Sequence, residues 1–328
     1  MTGMLRSKAW WWLLAALSAV ALMAAACGDD GEEEVVTVNL ASIPPFSVTT
    51  WPVVVADEQG FFEREGIDVN ITFTFDGGLL LAGGQVDIIN DGADSGLIGF
   101  AQGKDVILVA PLAQSVTDGL LVSTDITSVA DLEGKTLRVV GFGTDEFLAR
   151  RFIEENGLSS DAVNFVDIED DGAALGQLET GQIDGGTFDQ GILFESEQTG
   201  QFNVLAKPVE LGSFPWNVIQ TTRGYAEDNP DVVVGFIRAI QDAMRFILDS
   251  GNEEAVIEAV IAGGEGLERE DAELTYESAA GFGLYTFDPL TVDDVEPALE
   301  ALVFLEEDVE DIDLNEVIDN SFLEQASE

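Results

Sequence analysis

Four short segments of this chain gather carboxylates and aromatic rings, with no Lys or Arg among them. Ser42 to Trp51 holds Ser42, Phe46 and Trp51, and Asp91 to Ser95 holds Asp91, Asp94 and Ser95. Phe142 to Asp145 adds Phe142, Thr144 and Asp145; Thr187 to Gln190 adds Phe188 and Asp189. A fifth segment, Phe214-Pro215-Trp216, brings two more rings. Carboxylates accept N–H bonds from an amine or heterocycle, and aromatic faces cover a flat or cationic molecule. Together they suit a slot for a flat, neutral or positively charged ligand. A sulfonate or nitrate calls instead for Arg or free helix-end amides. Only the helix start at Thr144-Asp145 offers such amides, and Asp145 opposes an anion there. Each residue has a plainer use as well. Asp145 serves equally as a helix cap, Asp91 and Asp94 as turn residues, and Phe46, Phe142 and Phe188 as core. Trp51 and Trp216 are the stronger ligand candidates, because large aromatics in loops commonly mark binding surfaces.

The rest of the composition closes most catalytic routes. The 328 residues contain no histidine and one cysteine, Cys27. Ser-His-Asp and Cys-His arrangements are therefore absent, together with the commonest zinc ligand. No metal, cofactor or enzymatic activity is expected. There are 63 acidic against 13 basic residues, a net charge of −50. Such a surface repels nucleic acid and anionic head groups. With 46% apolar residues, the chain is too hydrophobic for an acidic disordered polymer, so the acids coat a folded protein. High-salt adaptation would account for them, with screening relieving self-repulsion; so would ordinary acidic drift in an exported protein.

The segments that carry the candidate residues lie where an α/β chain places loops. Val35 to Leu40 reads as a buried strand, broken by Pro44-Pro45. Trp51 to Gln59 reads as a short helix stopped by Gly60, and Ile67 to Phe75 as a second strand. Gly84-Gln85-Val86-Asp87 is echoed nearly a hundred residues later by Gly181-Gln182-Ile183-Asp184. Each reads as a helix C-cap glycine followed by entry into a strand. The second copy has its own first strand, Thr136 to Val140, and a helix from Asp145 to Asn156. Two similar α/β units imply two lobes. In open α/β sheets ligands bind beyond the C-terminal strand ends, where the first four segments fall. A long helix is expected from Pro230 to Ser250, with Asp228 and Asn229 as cap candidates. Its apolar face would hold Val234, Ile237, Ile240, Met244, Ile247 and Leu248.

The N-terminus carries an export pattern: Arg6 and Lys8, an apolar run from Ala9 to Ala26, then Ala24-Ala25-Ala26-Cys27-Gly28. It resembles a bacterial lipoprotein signal, which implies acylation of Cys27 and a position on the outer face of the cytoplasmic membrane. Such a signal usually has Leu where Ala24 stands. An uncleaved anchor is the alternative, with Trp10, Trp11 and Trp12 at the interface. Residues 28–34 form an acidic tether.

Several motifs, in order, then resemble one family. Ala56 to Val69 (ADEQGFFEREGIDV) resembles its AxxxGFFxxxGLxV segment. Gly84-Gln85-Val86-Asp87, Gly103-Lys104-Asp105-Val106 and Asp131-Leu132-Glu133-Gly134-Lys135 resemble its GQVD, GKDV and DLKGK motifs. Asn229-Pro230-Asp231 and Val317 to Leu323 resemble its NPD helix and its C-terminal end. The family is that of the substrate-binding proteins of ABC importers for nitrate, sulfonates, taurine and thiamine pyrimidine precursors. The resemblance implies a two-lobed α/β periplasmic-binding-protein fold, type II-like, with two crossover hinge strands and C-terminal helices. Residues 35–115 and 222–328 would form lobe 1, and residues 116–221 would form lobe 2 with the crossovers. It also implies capture of a small solute between the lobes and delivery to a permease with its ATPase. A monomer is expected. The loop chemistry favours a heteroaromatic or amine-bearing nutrient; a sulfonate or nitrate is the alternative within the family, and an extracellular sensor the alternative role. Eukaryotic relatives build the thiamine pyrimidine from pyridoxal phosphate and a histidine of their own chain, which this chain lacks. One departure stands out: the helix between Gly78 and Gly84 is shorter than the family's.

Overall fold

β1 (Val36–Ser42) forms because alternating β-branched and aliphatic residues can bury one side of a strand while the other meets solvent. In the computed structural model it runs parallel to β2 (Ile67–Phe73) along its whole length, from Val36 opposite Ile67 to Ser42 opposite Phe73. Its other edge pairs, also parallel, with β3 (Ile88–Asp91). The structure describes residues 35–45, 47–140, 143–264, 267–305, 307, 309 and 311–328. The export signal, Cys27, the acidic tether, Phe46 and Phe142 lie outside the described residues.

The chain continues through β4 (Val106–Ser115), β5 (Asp118–Val122), β6 (Thr136–Val139), β7 (Asn164–Asp167), β8 (Gly185–Asp189), β9 (Asn203–Ala206) and β10 (Ser213–Thr222). Two five-stranded sheets result, ordered β2-β1-β3-β10-β4 and β7-β6-β8-β5-β9. They have the same plan. Three parallel strands are followed by one antiparallel strand that the chain contributes on crossing from the other sheet. The first crossing is the two-residue step from Ser115 to Asp118. The second follows the helical turn Pro208–Leu211. β10 belongs to the first sheet over its full length, pairing with both β3 and β4. Val36–Glu328 forms one compact unit.

The sequence echo marks equivalent devices in the two sheets. Gly84 and Gly181 both adopt left-handed backbone, φ 66° and 69°, which glycine enters without steric cost. Each closes a helix, Gly77–Ala82 or Asp171–Glu179. The aspartate three residues on then clamps the first strand of its sheet. Asp87 N–H donates to Asn39 O and its carboxylate accepts from Asn39 N, both at 2.8 Å. Asp184 N–H donates to Thr136 O at 2.8 Å and its carboxylate accepts from Thr136 N at 2.9 Å. The first helix has six residues and the second nine.

The long helix runs Pro230–Leu248 and packs on the helices Trp51–Glu58 and Ser321–Ala326. Its buried stripe is Val233, Phe236, Ile237, Ile240, Met244 and Ile247. Val234 is only partly buried and Leu248 is exposed. The true stripe starts one residue earlier and keeps the 3.6-residue period. Phe236 stacks on Phe62 with centroids 4.9 Å apart. Asn229 occupies the N-cap position without capping; its side chain turns back to donate to Tyr225 O at 3.0 Å.

The two lobes also touch away from the crossings. Arg151, on the helix Thr144–Glu155, pairs with Glu300 on the helix Val292–Phe304 at 2.8 Å. The rings of Phe147 and Phe304 lie 5.8 Å apart on the same two helices.

Candidate functional site

At the end of the first sheet, three neighbouring strands place polar side chains in a buried row. Asn217 Nδ2 on β10 donates to Asn90 Oδ1 on β3 at 3.1 Å. Asn90 Nδ2 donates to Ser42 Oγ on β1, also at 3.1 Å. All three residues are buried, and in such a setting hydrogen-bond partners are close to obligatory. Asn217 Oδ1 nonetheless has none within the protein.

Beside this row, Asp91 accepts from Gly92 N and Ser95 Oγ, each at 2.9 Å. Gly77 makes room for it: a Cβ there would sit 2.9 Å from Asp91 Oδ2. Burial, with Asp94 alongside, pushes the Asp91 carboxyl up to about 6. Burial raises Asp94 as well. Thus Asp91, Asp94 and Ser95 do come together, at the start of the helix Ala93–Ala101.

The second sheet ends differently. Arg138 on β6 is buried. Its Nε donates to Ile168 O at 2.7 Å, Nη1 to Thr187 O, and Nη2 to Glu169 O at 3.2 Å and Asp171 Oδ1 at 2.5 Å. Around it stand Asp118, Asp145, Asp171 and Asp189. Asp118 opens β5 directly opposite Asp189, which closes β8. Burial raises the Asp118 carboxyl well above its usual value, and Asp145, Asp189 and Asp171 add repulsion that Arg138 only partly offsets. Burial lifts Asp145 to about 6, with Arg138 opposing and Asp171 reinforcing the shift. Asp189 is raised mainly by desolvation, although solvent still reaches it; it accepts from Gly191 N at 2.8 Å.

The aromatic candidates divide. Trp51 is fully enclosed, with its Nε1 donating to Pro45 O at 3.1 Å. Phe188 and Phe214 are core as well, Phe188 lying under the Arg138 guanidinium at 5.1 Å. In this conformation none of the three offers a ring to a ligand, because a large apolar ring beside a strand end is worth more in the core. Trp216 stays half-buried, its ring 5.9 Å from that of Phe214. Thr144 is half-buried at the first position of its helix. Asp145 is buried at the second, while Gly143 holds the cap position.

Loop composition alone missed Asn90, Asn217, Asp118, Arg138 and Asp171. Two of them had a signal: a polar residue inside an apolar strand, as in Ile88-Ile89-Asn90 and Leu137-Arg138-Val139, needs a buried partner. Among the described residues no group of His, Cys, Asp and Glu is arranged to hold a metal ion. A groove of about 820 Å³ runs beside the helix Thr144–Glu155, lined by Glu146, Phe147, Arg150 and Glu300 among others. Its arginines are already paired, Arg150 with Glu146 along the same helix at 2.7 Å and Arg151 with Glu300 on the neighbouring helix at 2.8 Å. The strand ends therefore remain the candidate site.

The model of the family described as NMT1/THI5 like matches residues 48–254, more than half of the chain. This chain belongs to the NMT1/THI5-like family. The match covers most of both sheets and all the strand-end residues except Ser42. A formylaminopyrimidine-binding protein from Halalkalibacterium halodurans is 27% identical over 213 residues, 61% of this chain and 62% of that protein. The chain spans about 62% of the length of the curated relatives it matches. Among solved structures, the periplasmic aliphatic sulphonate-binding protein SsuA from Escherichia coli aligns with a TM-score of 0.69 at 17% identity. It covers 87% of this chain and 92% of that one. The alkanesulfonate-binding protein SsuA from Xanthomonas axonopodis, bound to MOPS, aligns at 0.62 with 16% identity, covering 87% and 98%. At these identities the likeness establishes the two-lobed periplasmic-binding-protein fold of this NMT1/THI5-like chain. Among the described residues no helix is long and apolar enough to cross a membrane.

Proposed function

We propose that this chain is the extracytoplasmic solute-binding component of an ABC importer, tethered to the membrane by lipid on Cys27. It captures a small heteroaromatic or amine-bearing nutrient between its lobes and hands it to a permease whose ATPase supplies the energy. No chemistry is performed on the solute. The family, the two matched sheets joined by two crossings, and the name of the formylaminopyrimidine-binding relative support the role. One observation supports the ligand class: the strand ends present carboxylates, while the cation among them, Arg138, is already spent on three carbonyls and Asp171. Hinge closure of two lobes over a ligand is a known way to couple capture to a partner.

The sulfonate alternative draws on the names of the SsuA structures, which resemble this chain in fold. Against it, no uncommitted guanidinium faces the strand ends among the described residues. A thermal-shift screen tests the role, since a ligand stabilises the folded state by mass action. The panel holds pyrimidines, thiamine, riboflavin, amines, taurine, alkylsulfonates and nitrate. A rise in Tm with heterocycles or amines is expected. A rise with sulfonates or nitrate alone would overturn the ligand class and keep the transport role.

A further inference from the structure

We propose that the solute is taken as an organic cation, and that Asp118, Asp145 and Asp189 hold its positive charge. The inference rests on the capture reading above and adds the charge and the residues that recognise it. Asp118 is new to the site. It stands at the first crossing between the lobes, three residues after Ser115 ends β4, so the same segment that joins the lobes carries a recognition group. Its carboxylate lies among those of Asp145, Asp189 and Asp171, with Arg138 as the opposing charge.

Four carboxylates around one committed guanidinium leave an excess of negative charge in a partly desolvated place. Structural ion pairs do not normally leave that excess, because like charges at short range cost free energy unless a counter-charge arrives. Asp189 is the most exposed of the four; Asp118 and Asp171 are half-buried and Asp145 is buried, so a solute reaches the cluster from the Asp189 side.

A second, independent observation points the same way. Thr187 Oγ1 and Gln190 Oε1 are buried and have no partner within the protein. They flank Asp189 on either side. Thr187 lies opposite Leu120 as Asp189 lies opposite Asp118. Side chains two apart on a strand share a face, so the Thr187 hydroxyl is directed to the face that bears both carboxylates. Unmade bonds at buried oxygens are costly, and a protonated amine or amidinium supplies the missing donors.

An oxyanion finds nothing equivalent here. Two helix starts nearby are filled by the protein's own carboxylates, Asp189 accepting from Gly191 N at 2.8 Å and Asp170 from Ala173 N at 2.7 Å. At the third, Thr144–Glu155, no side chain caps the amides, but Asp145 and Glu146 place negative charge in the first turn. A bare metal ion is not favoured either, since these carboxylates are not set at ligating distances.

The test is equilibrium dialysis of the purified chain against an equimolar mixture. The mixture holds cationic amines and amidines, neutral amides and pyrimidines, and anionic sulfonates and carboxylates; retained compounds are read by mass spectrometry. The expected result is retention of one or more cations. Asp118→Asn and Asp145→Asn should each lower that retention about tenfold or more, the scale of losing a charge-assisted bond. Asp288→Asn, an exposed carboxylate elsewhere, should leave it unchanged, which separates the site from general attraction to an acidic surface. Cooperative melting of each variant serves as the folding control. Retention of a neutral or anionic compound instead would overturn this inference and leave the capture reading standing. So would cation retention indifferent to both site substitutions. Retention of nothing would overturn the capture reading, and this inference with it.

Discussion

The two sheets share a strand order and a clamp, yet their strand ends are chemically unlike. The first ends in a neutral row, Ser42, Asn90 and Asn217, joined by amide and hydroxyl bonds. The second ends in charge, with buried Arg138 among Asp118, Asp145, Asp171 and Asp189. The shared plan fixes where a ligand is met, and the differing ends divide the work of meeting it. A neutral row can orient a ligand at low electrostatic cost. A buried charge cluster can discriminate by charge, but only if its own components are held.

That division implies unequal fragility. Replacing Arg138 with Met removes four donors at once and strands three carbonyls and Asp171. The expected loss is about 3 kcal/mol, the low end for breaking a buried pair because Asp171 is partly open to solvent. Asn90→Ala removes two bonds from the neutral row and should cost about 1–3 kcal/mol. Urea unfolding of both variants settles the order. A larger loss for Asn90→Ala would mean that the first sheet, not the second, carries the more fragile end.

The pH response sharpens the same contrast. Asp91 in the first lobe and Asp145 in the second are both raised to about 6. Because these are acids whose folded pKa lies above the unfolded value, each contributes stability that is fully present below about 4. That contribution is lost as pH rises through about 6. The ligand-free protein should therefore gain stability as pH falls from 7 toward 4. The gain per group is of order 1–3 kcal/mol. Relief of the overall negative charge acts in the same direction, so the informative quantity is a difference. Asp145→Asn should flatten the profile between pH 4 and 7, read by Tm across that range. With a cationic solute bound the trend in affinity reverses, tighter binding appearing as pH rises from 5 to 7. An unchanged profile in Asp145→Asn would remove that residue from the charged end.

Much of the fold was legible because its signals are local. The paired Gly-Gln-Val-Asp and Gly-Gln-Ile-Asp segments fix a left-handed turn and a strand clamp with four residues each, which is why the two-lobe plan could be read from them. The short helix at Gly77–Ala82 was legible for the same reason, since few residues separate two glycine signals. The site was only half legible. Asp91, Asp94, Ser95 and Asp189 sit at strand ends where loop position foretold them. Trp51 was misplaced because it opens a helix whose first turn is buried: the indole lies in the core and its N–H donates to Pro45 O. Asp118 was missed because nothing local distinguishes it; only the antiparallel register of β5 against β8 brings it opposite Asp189. Residue type can be read along a chain, whereas convergence from three elements needs the topology.

The clamps test how alike the two lobes are. Asp87→Ala and Asp184→Ala each delete a carboxylate that accepts a backbone N–H of the first strand, and each should cost about 1–2 kcal/mol. Each has one further partner, Asn39 Nδ2 donating to Asp87 at 2.9 Å and Lys135 pairing with Asp184 at 3.1 Å, so the two losses should be alike. Gly84→Ala and Gly181→Ala isolate the turn. Nothing lies within 4 Å of a Cβ built at either position, so each should cost only the left-handed backbone, about 1 kcal/mol. Equal losses in the two glycine variants, measured by urea unfolding, would support equivalent devices. A loss confined to one would show that sequence echo and structural role have diverged.

The smallest expected effect lies where the lobes meet away from the crossings. Arg151 and Glu300 are both partly exposed, and such pairs contribute at most about 1 kcal/mol. Arg151→Ala should hardly move the Tm of the ligand-free protein. The pair nevertheless spans the lobes, so whatever it contributes belongs to the arrangement of the lobes in this structure and not to either lobe alone. A solute that binds this arrangement then loses affinity when the pair is removed, because the competent state is less populated. Arg151→Ala should weaken solute binding severalfold while Glu155→Ala, which removes the same arginine's partner within its own helix, should not. Isothermal titration with the retained solute separates the two. Equal losses would place the contribution in the helix itself and leave the inter-lobe pair without a part in binding.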